Sequence, residues 1–231
     1  MQNAYSRPNK LLAEFLGTFG LVLFSAGAVC ADQALRMSGQ VSLGLLGTAL
    51  AYGLAAGGLF GALGNISGGH FNPALTIGFW VTRKFGTFDA LTYCIAQLAG
   101  AATASYTLRY AVPDQIWGAV ALGTPGTAVT RAPAMLIEAA LTFFLAMAVF
   151  AASTNRSTAA VSAPAVGFVV AAGAILAGPF TGAAMNPARA FGPALAAHHW
   201  TNQGVYWVGP LAGAMLGATV CDLFFRGVSG D

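Results

Sequence analysis

Charge is what this chain most lacks. Only 7% of its 231 residues are Asp, Glu, Lys or Arg, against roughly 25% in a soluble globular domain. That excludes an ordinary soluble fold. The formal net charge is +3 and no basic run exceeds Arg83-Lys84, so no nucleic-acid surface is expected. Cysteine is sparse too. Cys30, Cys94 and Cys221 share no metal-ligand spacing and lie in or beside apolar segments, where they read as small packing residues. No Ser-His-Asp or Cys-His arrangement, paired catalytic carboxylates or phosphate loop occurs, and the glycine-rich stretches lack the strand context of a nucleotide site. Neither an enzyme nor a bound metal or cofactor is expected.

What the chain has instead is apolar length. Hydrophobic residues make up 57% of it, in helix-length runs rather than the ~10-residue alternation of an outer-membrane barrel. Long helices are predicted over 11–31, 41–63, 86–108, 132–152, 161–178 and 204–225, each near the ~20 residues that cross a bilayer core. Arg7 and Lys10 before the first run, and Ala26-Gly27-Ala28 near its end, resemble a signal peptide. The run is long for one and carries Glu14, so it reads as a mature helix. With both termini cytoplasmic, Arg7, Lys10, Arg83, Lys84, Arg156 and Arg226 fall inside. Arg36, Arg109 and Arg131 fall outside, the asymmetry expected of a multi-pass protein in a cell (inner) membrane.

Two short stretches interrupt this pattern in the same way. Ser67-Gly68-Gly69-His70-Phe71-Asn72-Pro73-Ala74 and Thr181-Gly182-Ala183-Ala184-Met185-Asn186-Pro187-Ala188-Arg189 each join a glycine/alanine-rich turn to an Asn-Pro-Ala triplet. Asn caps free backbone N–H groups and Pro suits the first helical turn, so half-helices are predicted at 73–81 and 187–196. Each is too short to span alone; two entering from opposite faces would share one crossing. The segment from Ala13 to Phe19 also aligns with Ile137 to Phe143, with Glu14 and Glu138 in register. The chain therefore reads as one transmembrane domain of two halves, approximately 8–108 and 132–226. An odd number of crossings per half makes the repeat inverted, with a site near the bilayer midplane. Glycines four apart, Gly53 and Gly57, then Gly209, Gly213 and Gly217, predict close helix packing.

These residues resemble the aquaporin (major intrinsic protein) family over nearly the whole chain. The resemblance rests on the two triplets, the Arg after the second, the paired glutamates and the inverted repeat. It implies an all-α membrane bundle of six transmembrane helices plus two re-entrant half-helices meeting tip to tip. It also implies a pore through each subunit and a homotetramer in membrane lipid. Water, and small neutral solutes beside it, are then the partners. Gly68, Gly69, His70, Gly182 and Ala184 would line the pore, with the backbone carbonyls of 68–71 and 182–185 turned to a file of water. Asn72 and Asn186 would donate to water at the centre, where Pro73, Ala74, Pro187 and Ala188 begin the half-helices. Both helix N-termini point there, each with roughly half a positive charge, which repels cations and opposes a proton wire. Glu14 and Glu138 either couple protons or, as favoured, hold the re-entrant loops by accepting backbone hydrogen bonds. His70 either gates with pH or, as favoured, only lines the cytoplasmic mouth. The adjacent His198 and His199 read as a solvated loop.

By spacing, the resemblance puts the selectivity filter at Tyr52, Ala174, Ala183 and Arg189. This departs from the family's strict water filter, which has a His where this chain has Ala174. A wider aperture with one apolar wall follows. Ala190 after Arg189, Ala194, the Tyr206-Trp207 pair and the short connector resemble the water branch more than the glycerol facilitators. The expectation is a passive water channel that also passes small uncharged solutes. The alternatives are a broader channel for glycerol, ammonia or urea, and a coupled transporter.

Overall fold

The computed structural model describes residues 5–154 and 159–224. Arg156 and Arg226, placed on the cytoplasmic side above, lie outside the described residues. The described residues form helices α1 (Arg7–Met37), α2 (Gly44–Ser67), α3 (Pro73–Val81), α4 (Thr87–Ala111), α5 (Asp114–Ala119), α6 (Arg131–Thr154), α7 (Ala159–Thr181), α8 (Pro187–Ala197) and α9 (Gln203–Phe224). A single 3-10 turn, Ala121–Gly123, follows α5.

α1 is longer at both ends than its apolar run. Ser6 caps it, its side chain accepting from the Asn9 N–H, and Pro8 fits the first turn. At the other end Asp32 bonds both Arg36 and the Gly44 N–H, which joins α1 to the start of α2. Charged ends of this kind extend a crossing helix into the interface without adding to its apolar length.

Among the described residues, five helices are long and apolar enough to cross a membrane: α1, α2, α6 over Arg131–Ala152, α7 over Val161–Thr181, and α9. The sixth predicted crossing, α4, has 25 residues, about 37 Å of helix, but a lower mean hydropathy. Its polar side chains explain this. Gln97 and Ser105 are turned inward and fully buried, while Phe88, Leu91, Ile95 and Tyr106 face outward. The surface offered to lipid is apolar even though the average is not.

The half-helices exchange sides. α3 packs mainly on α9 and α8 mainly on α4, while α1 packs on α2 and α4, α2 on α7, and α6 on α7 and α9. Each half thus encloses the short helix of the other. α3 and α8, of 9 and 11 residues, together measure about 30 Å, the thickness of one hydrocarbon core.

The α6–α9 seam depends on glycine. A Cβ on Gly217 would stand 2.6 Å from the Phe143 carbonyl oxygen, and one on Gly213 would be closer still to that of Ala139. Gly213→Leu is expected to force α9 off α6 and cost about 1–3 kcal/mol or more. In detergent this should lower the melting temperature by about 5 °C or more. An unchanged melting curve would show that the close approach contributes nothing.

Candidate functional site

The site is built where α3 and α8 begin. Asn72 and Asn186 are the N-caps, each in extended conformation, with their side-chain oxygens accepting from the Ala74 and Ala188 N–H groups at 2.9 Å. Each amide nitrogen then reaches across to the other loop. Asn72 Nδ2 donates to the Met185 carbonyl and Asn186 Nδ2 to the Phe71 carbonyl, both at 2.8 Å. A primary amide carries two N–H donors, so one per asparagine stays uncommitted. Both asparagines border one small cavity, together with Leu21, Tyr52, Gly69 and His70.

The loops leading to these caps are not simply extended. Gly68, Gly69 and Phe71 have positive φ, and so do Gly182, Ala183 and Met185, at matching places. This turned backbone brings the N–H groups of residues 70 and 71, and of 184 and 185, to one side, forming an anion-binding nest. A glutamate fills each nest. Glu14 Oε1 accepts from Ser67 Oγ and the His70 N–H, and Oε2 from the Phe71 N–H and Gln97 Nε2, at 2.6–3.0 Å. Glu138 Oε1 accepts from Thr181 Oγ1 and the Ala184 N–H, and Oε2 from the Met185 N–H, at 2.7–3.0 Å. Left-handed backbone costs a non-glycine residue roughly 1–2 kcal/mol, and hydrogen bonds to a charged group contribute about 1.5–3 kcal/mol each. The carboxyl groups therefore stabilise the turned loops with a margin. Tyr93 and Tyr206 repeat the symmetry, donating to the Ser67 and Thr181 carbonyls at 2.9 Å.

The halves then diverge. In the first, Gln97 Nε2 bonds both Glu14 and Thr76 Oγ1, and His70 Nδ1 lies 3.0 Å from the same hydroxyl. Thr76 Oγ1 also lies 3.2 Å from the Asn72 carbonyl, and which ring nitrogen of His70 carries the proton sets whether this hydroxyl accepts from the imidazole or donates to it. The ring stacks on Phe79 at 4.4 Å and meets Phe85 and Tyr93. In the second half the corresponding positions hold Pro210, Ala190 and Ala184, which offer no side-chain polar group.

Three cavities succeed one another along the half-helix tips. The first, about 490 Å³, is bordered by Lys10, Phe60, Gly64, Ser67 and Gly68. The second, at the asparagines, holds about 30 Å³ and shares the wall residue Phe60, a volume near that of one water. The third, about 150 Å³, shares Tyr52 with the second and is bordered by Ser25, Thr48, Ala174, Gly182 and Arg189.

Tyr52, Ala174 and Arg189 thus meet at one cavity, but Ala183 is not among the residues that border it. Ala183 is buried beside Tyr52 and Ala174 in the same core cluster. The Tyr52 hydroxyl is already committed to the Ala184 carbonyl at 2.7 Å, and the Ala184 side chain packs away with Ala190 and Tyr206. Arg189 is 5% exposed; its NH1 donates to the Gly123 carbonyl and its guanidinium lies 6.0 Å from the Tyr52 ring centre. Pro73, Ala74, Pro187 and Ala188 are buried helix starts and border none of the three cavities. His198 closes α8 in left-handed conformation. Cys30 is buried and Cys94 and Cys221 are half-buried; all three are free thiols.

Sequence reasoning missed Gln97, Thr76, Tyr93, Gly123 and Ser25. Aligning α4 with α9 would have paired Tyr93 with Tyr206. Nothing in the connector marks Gly123.

The family model described as Major intrinsic protein matches residues 2–221. Among curated relatives, Aquaporin TIP1-2 of Zea mays is 39% identical over 94% of this chain and 85% of its own length. The Lens fiber major intrinsic protein of Gallus gallus is 39% identical over 92% and 80%. Human Aquaporin-5 is 39% identical over 90% and 77%. Among solved structures, the aquaglyceroporin from Plasmodium falciparum superposes with a TM-score of 0.76 at 21% identity, covering 95% of this chain and 97% of that one. At that identity the likeness speaks for the fold alone.

Proposed function

This chain belongs to the major intrinsic protein family, and from that premise we propose that it is a passive transmembrane channel for water. The observation that carries the reading is the row of three cavities running past Asn72 and Asn186. At the one-water constriction each asparagine keeps one N–H free to donate. The left-handed loops turn their N–H groups to Glu14 and Glu138, and their Phe71 and Met185 carbonyls hold the two asparagine amides at the constriction. The α3 and α8 N-termini converge there, and their fields disfavour cations. An osmotic step on liposomes holding the purified protein tests this. Shrinkage well above that of empty vesicles is expected; equal rates would remove the proposal.

Small uncharged solutes pass as well, because Ala174 supplies neither the bulk nor the hydrogen bond of a histidine. Ala174→His is expected to lower glycerol and urea flux about tenfold or more, since a solute must then enter an overfilled site, while water flux stays within about twofold. If the substitution leaves selectivity unchanged, the filter lies elsewhere.

Coupled transport through Glu14 has little support. Its acceptor positions are filled by donors from α2, α4 and the re-entrant loop, which suits a fixed strut.

Both termini lie on the cytoplasmic side of a cell (inner) membrane in this reading. In support, the Arg7–Asp89 and Lys84–Asp222 ion pairs gather the start of α1, the α3–α4 turn and the end of α9 on one face. A homotetramer follows from the family, and an apolar groove between α2 and α7, bordered by Gly53, Gly57, Gly167 and Phe168, is suited to a neighbouring copy. The two halves act as inverted repeats meeting at the asparagines.

A further inference from the structure

We infer that Phe60 is a specificity-determining residue of this chain, its ring an apolar septum between the Lys10-side cavity and the central one. The inference rests on the channel reading above and concerns the end of the path away from Ala174 and Arg189. Thr48, Tyr52, Ala56, Phe60 and Gly64 follow one another at four-residue steps along α2, one helical face. Thr48 borders the outer cavity, Ala56 the central one and Gly64 the Lys10-side one. That face therefore runs the whole path. At each step between cavities, one described residue alone borders both. Tyr52 is that residue between the outer and central cavities, and Phe60 between the central and Lys10-side cavities. The two stand eight residues apart, about 12 Å along the helix.

The ring is seated on backbone. Gly69 has a φ of 65°, and a Cβ there would stand 2.7 and 2.9 Å from Phe60 Cδ2 and Cε2. A Cβ on Gly64, one turn further along α2, would lie 3.6 Å from the ring. Gly69 belongs to the turned loop: its N–H donates to Ser67 Oγ, and the next N–H, of His70, donates to Glu14. The seat of the ring is thus fixed by the same bonds that fix Asn72. The adjacent helix α7 steps at the same level, with Ala163 on the Lys10-side cavity and Val166 and Val170 on the central one. Phe60 itself packs against the core cluster that holds Val149 and Val166.

The step this ring guards is steep. The Lys10-side cavity holds about 490 Å³ and is bordered by Lys10, Asn65 and Ser67; the central one holds about 30 Å³, near the volume of one water. A solute crossing the step sheds most of its neighbours beside a ring that offers no hydrogen bond in return. A water molecule keeps partners ahead and behind in the file. Urea carries hydrogen-bonding groups around its whole edge, so at least one faces the ring unmet. Selection at Phe60 therefore falls on solutes larger than water, and Ala174 does not set the solute range alone.

The test uses the full-length protein in liposomes, with urea as probe and water flux as the reference. Phe60→Ala is expected to raise the urea-to-water flux ratio about three- to tenfold, the worth of one hydrogen bond regained, with water flux rising by a smaller factor. Phe60→Leu should fall between. Phe60→Trp overfills the step and should lower both the ratio and the water flux. Should the Ala variant move no water, the Leu and Trp variants make the same comparison in opposite directions. An unchanged ratio in the conducting variants overturns the inference. So does a ratio that rises in Trp as well as in Ala or Leu, the mark of a disturbed bundle. Vesicles in which the unmodified protein moves no water overturn the channel reading itself, and this inference with it.

Discussion

Glu14→Ala is expected to abolish water flux and to leave little folded protein in the membrane. The substitution strands Ser67 Oγ, the His70 and Phe71 N–H groups and Gln97 Nε2, all buried. Each orphaned donor costs about 1–3 kcal/mol, a large sum against a typical stability of ~5–15 kcal/mol even if the costs do not add. The left-handed Phe71 also loses the bond that holds its carbonyl toward Asn186. Glu14→Gln should fall between. Its oxygen still accepts from two donors, while its amide nitrogen meets the His70 N–H donor to donor. Thermal stability in detergent and stopped-flow shrinkage of vesicles give the two readouts. An Ala variant that melts within about 2 °C of the original and conducts normally would show that the loop holds itself.

Arg189→Ala is expected to open the pore to cations. The guanidinium is the buried positive charge at the outer cavity. A monovalent cation about 5 Å away at an effective dielectric of about 20 meets a repulsion near 3 kcal/mol. Removing it should raise hydronium and potassium leak by one to two orders of magnitude. Some barrier remains, because the α3 and α8 N-termini still converge on the asparagines. Leak is measured with a pH-reporting dye inside vesicles under a clamped potential. A leak equal to that of the unmodified protein would assign cation exclusion wholly to the half-helices.

Much of this was legible in the sequence because the signals are local. Asn before Pro starts a helix by side-chain chemistry within three residues, so α3 begins and ends where the sequence predicts. The glycines at α6–α9 declare themselves by spacing. The helix ends were less legible. Hydropathy registers only the apolar stretch, while α1 is closed by Ser6 at one end and an Asp32–Arg36 pair at the other. α4 turns an apolar face to lipid, but the inward Gln97 and Ser105 lower its average hydropathy. What no local pattern reveals is the set of contacts between distant residues. Arg189 finds its partner in a connector whose residues 121–123 are held in left-handed turns. The left-handed Ala183 also departs from expectation. Gly182 before it borders the outer cavity, but it does not.

The crossed amide bonds at the midplane carry one more consequence. Residue 72 holds 185 while residue 186 holds 71, the reciprocity of an isologous interface about a two-fold axis, here closed within a single chain. Such an axis constrains only the residues lying on it. Away from it each half can change alone: His70, Thr76 and Gln97 supply a polar network where the other half has Ala184, Ala190 and Pro210. The two mouths are therefore free to be tuned separately, one by histidine and the other by arginine, while the centre between them stays symmetric.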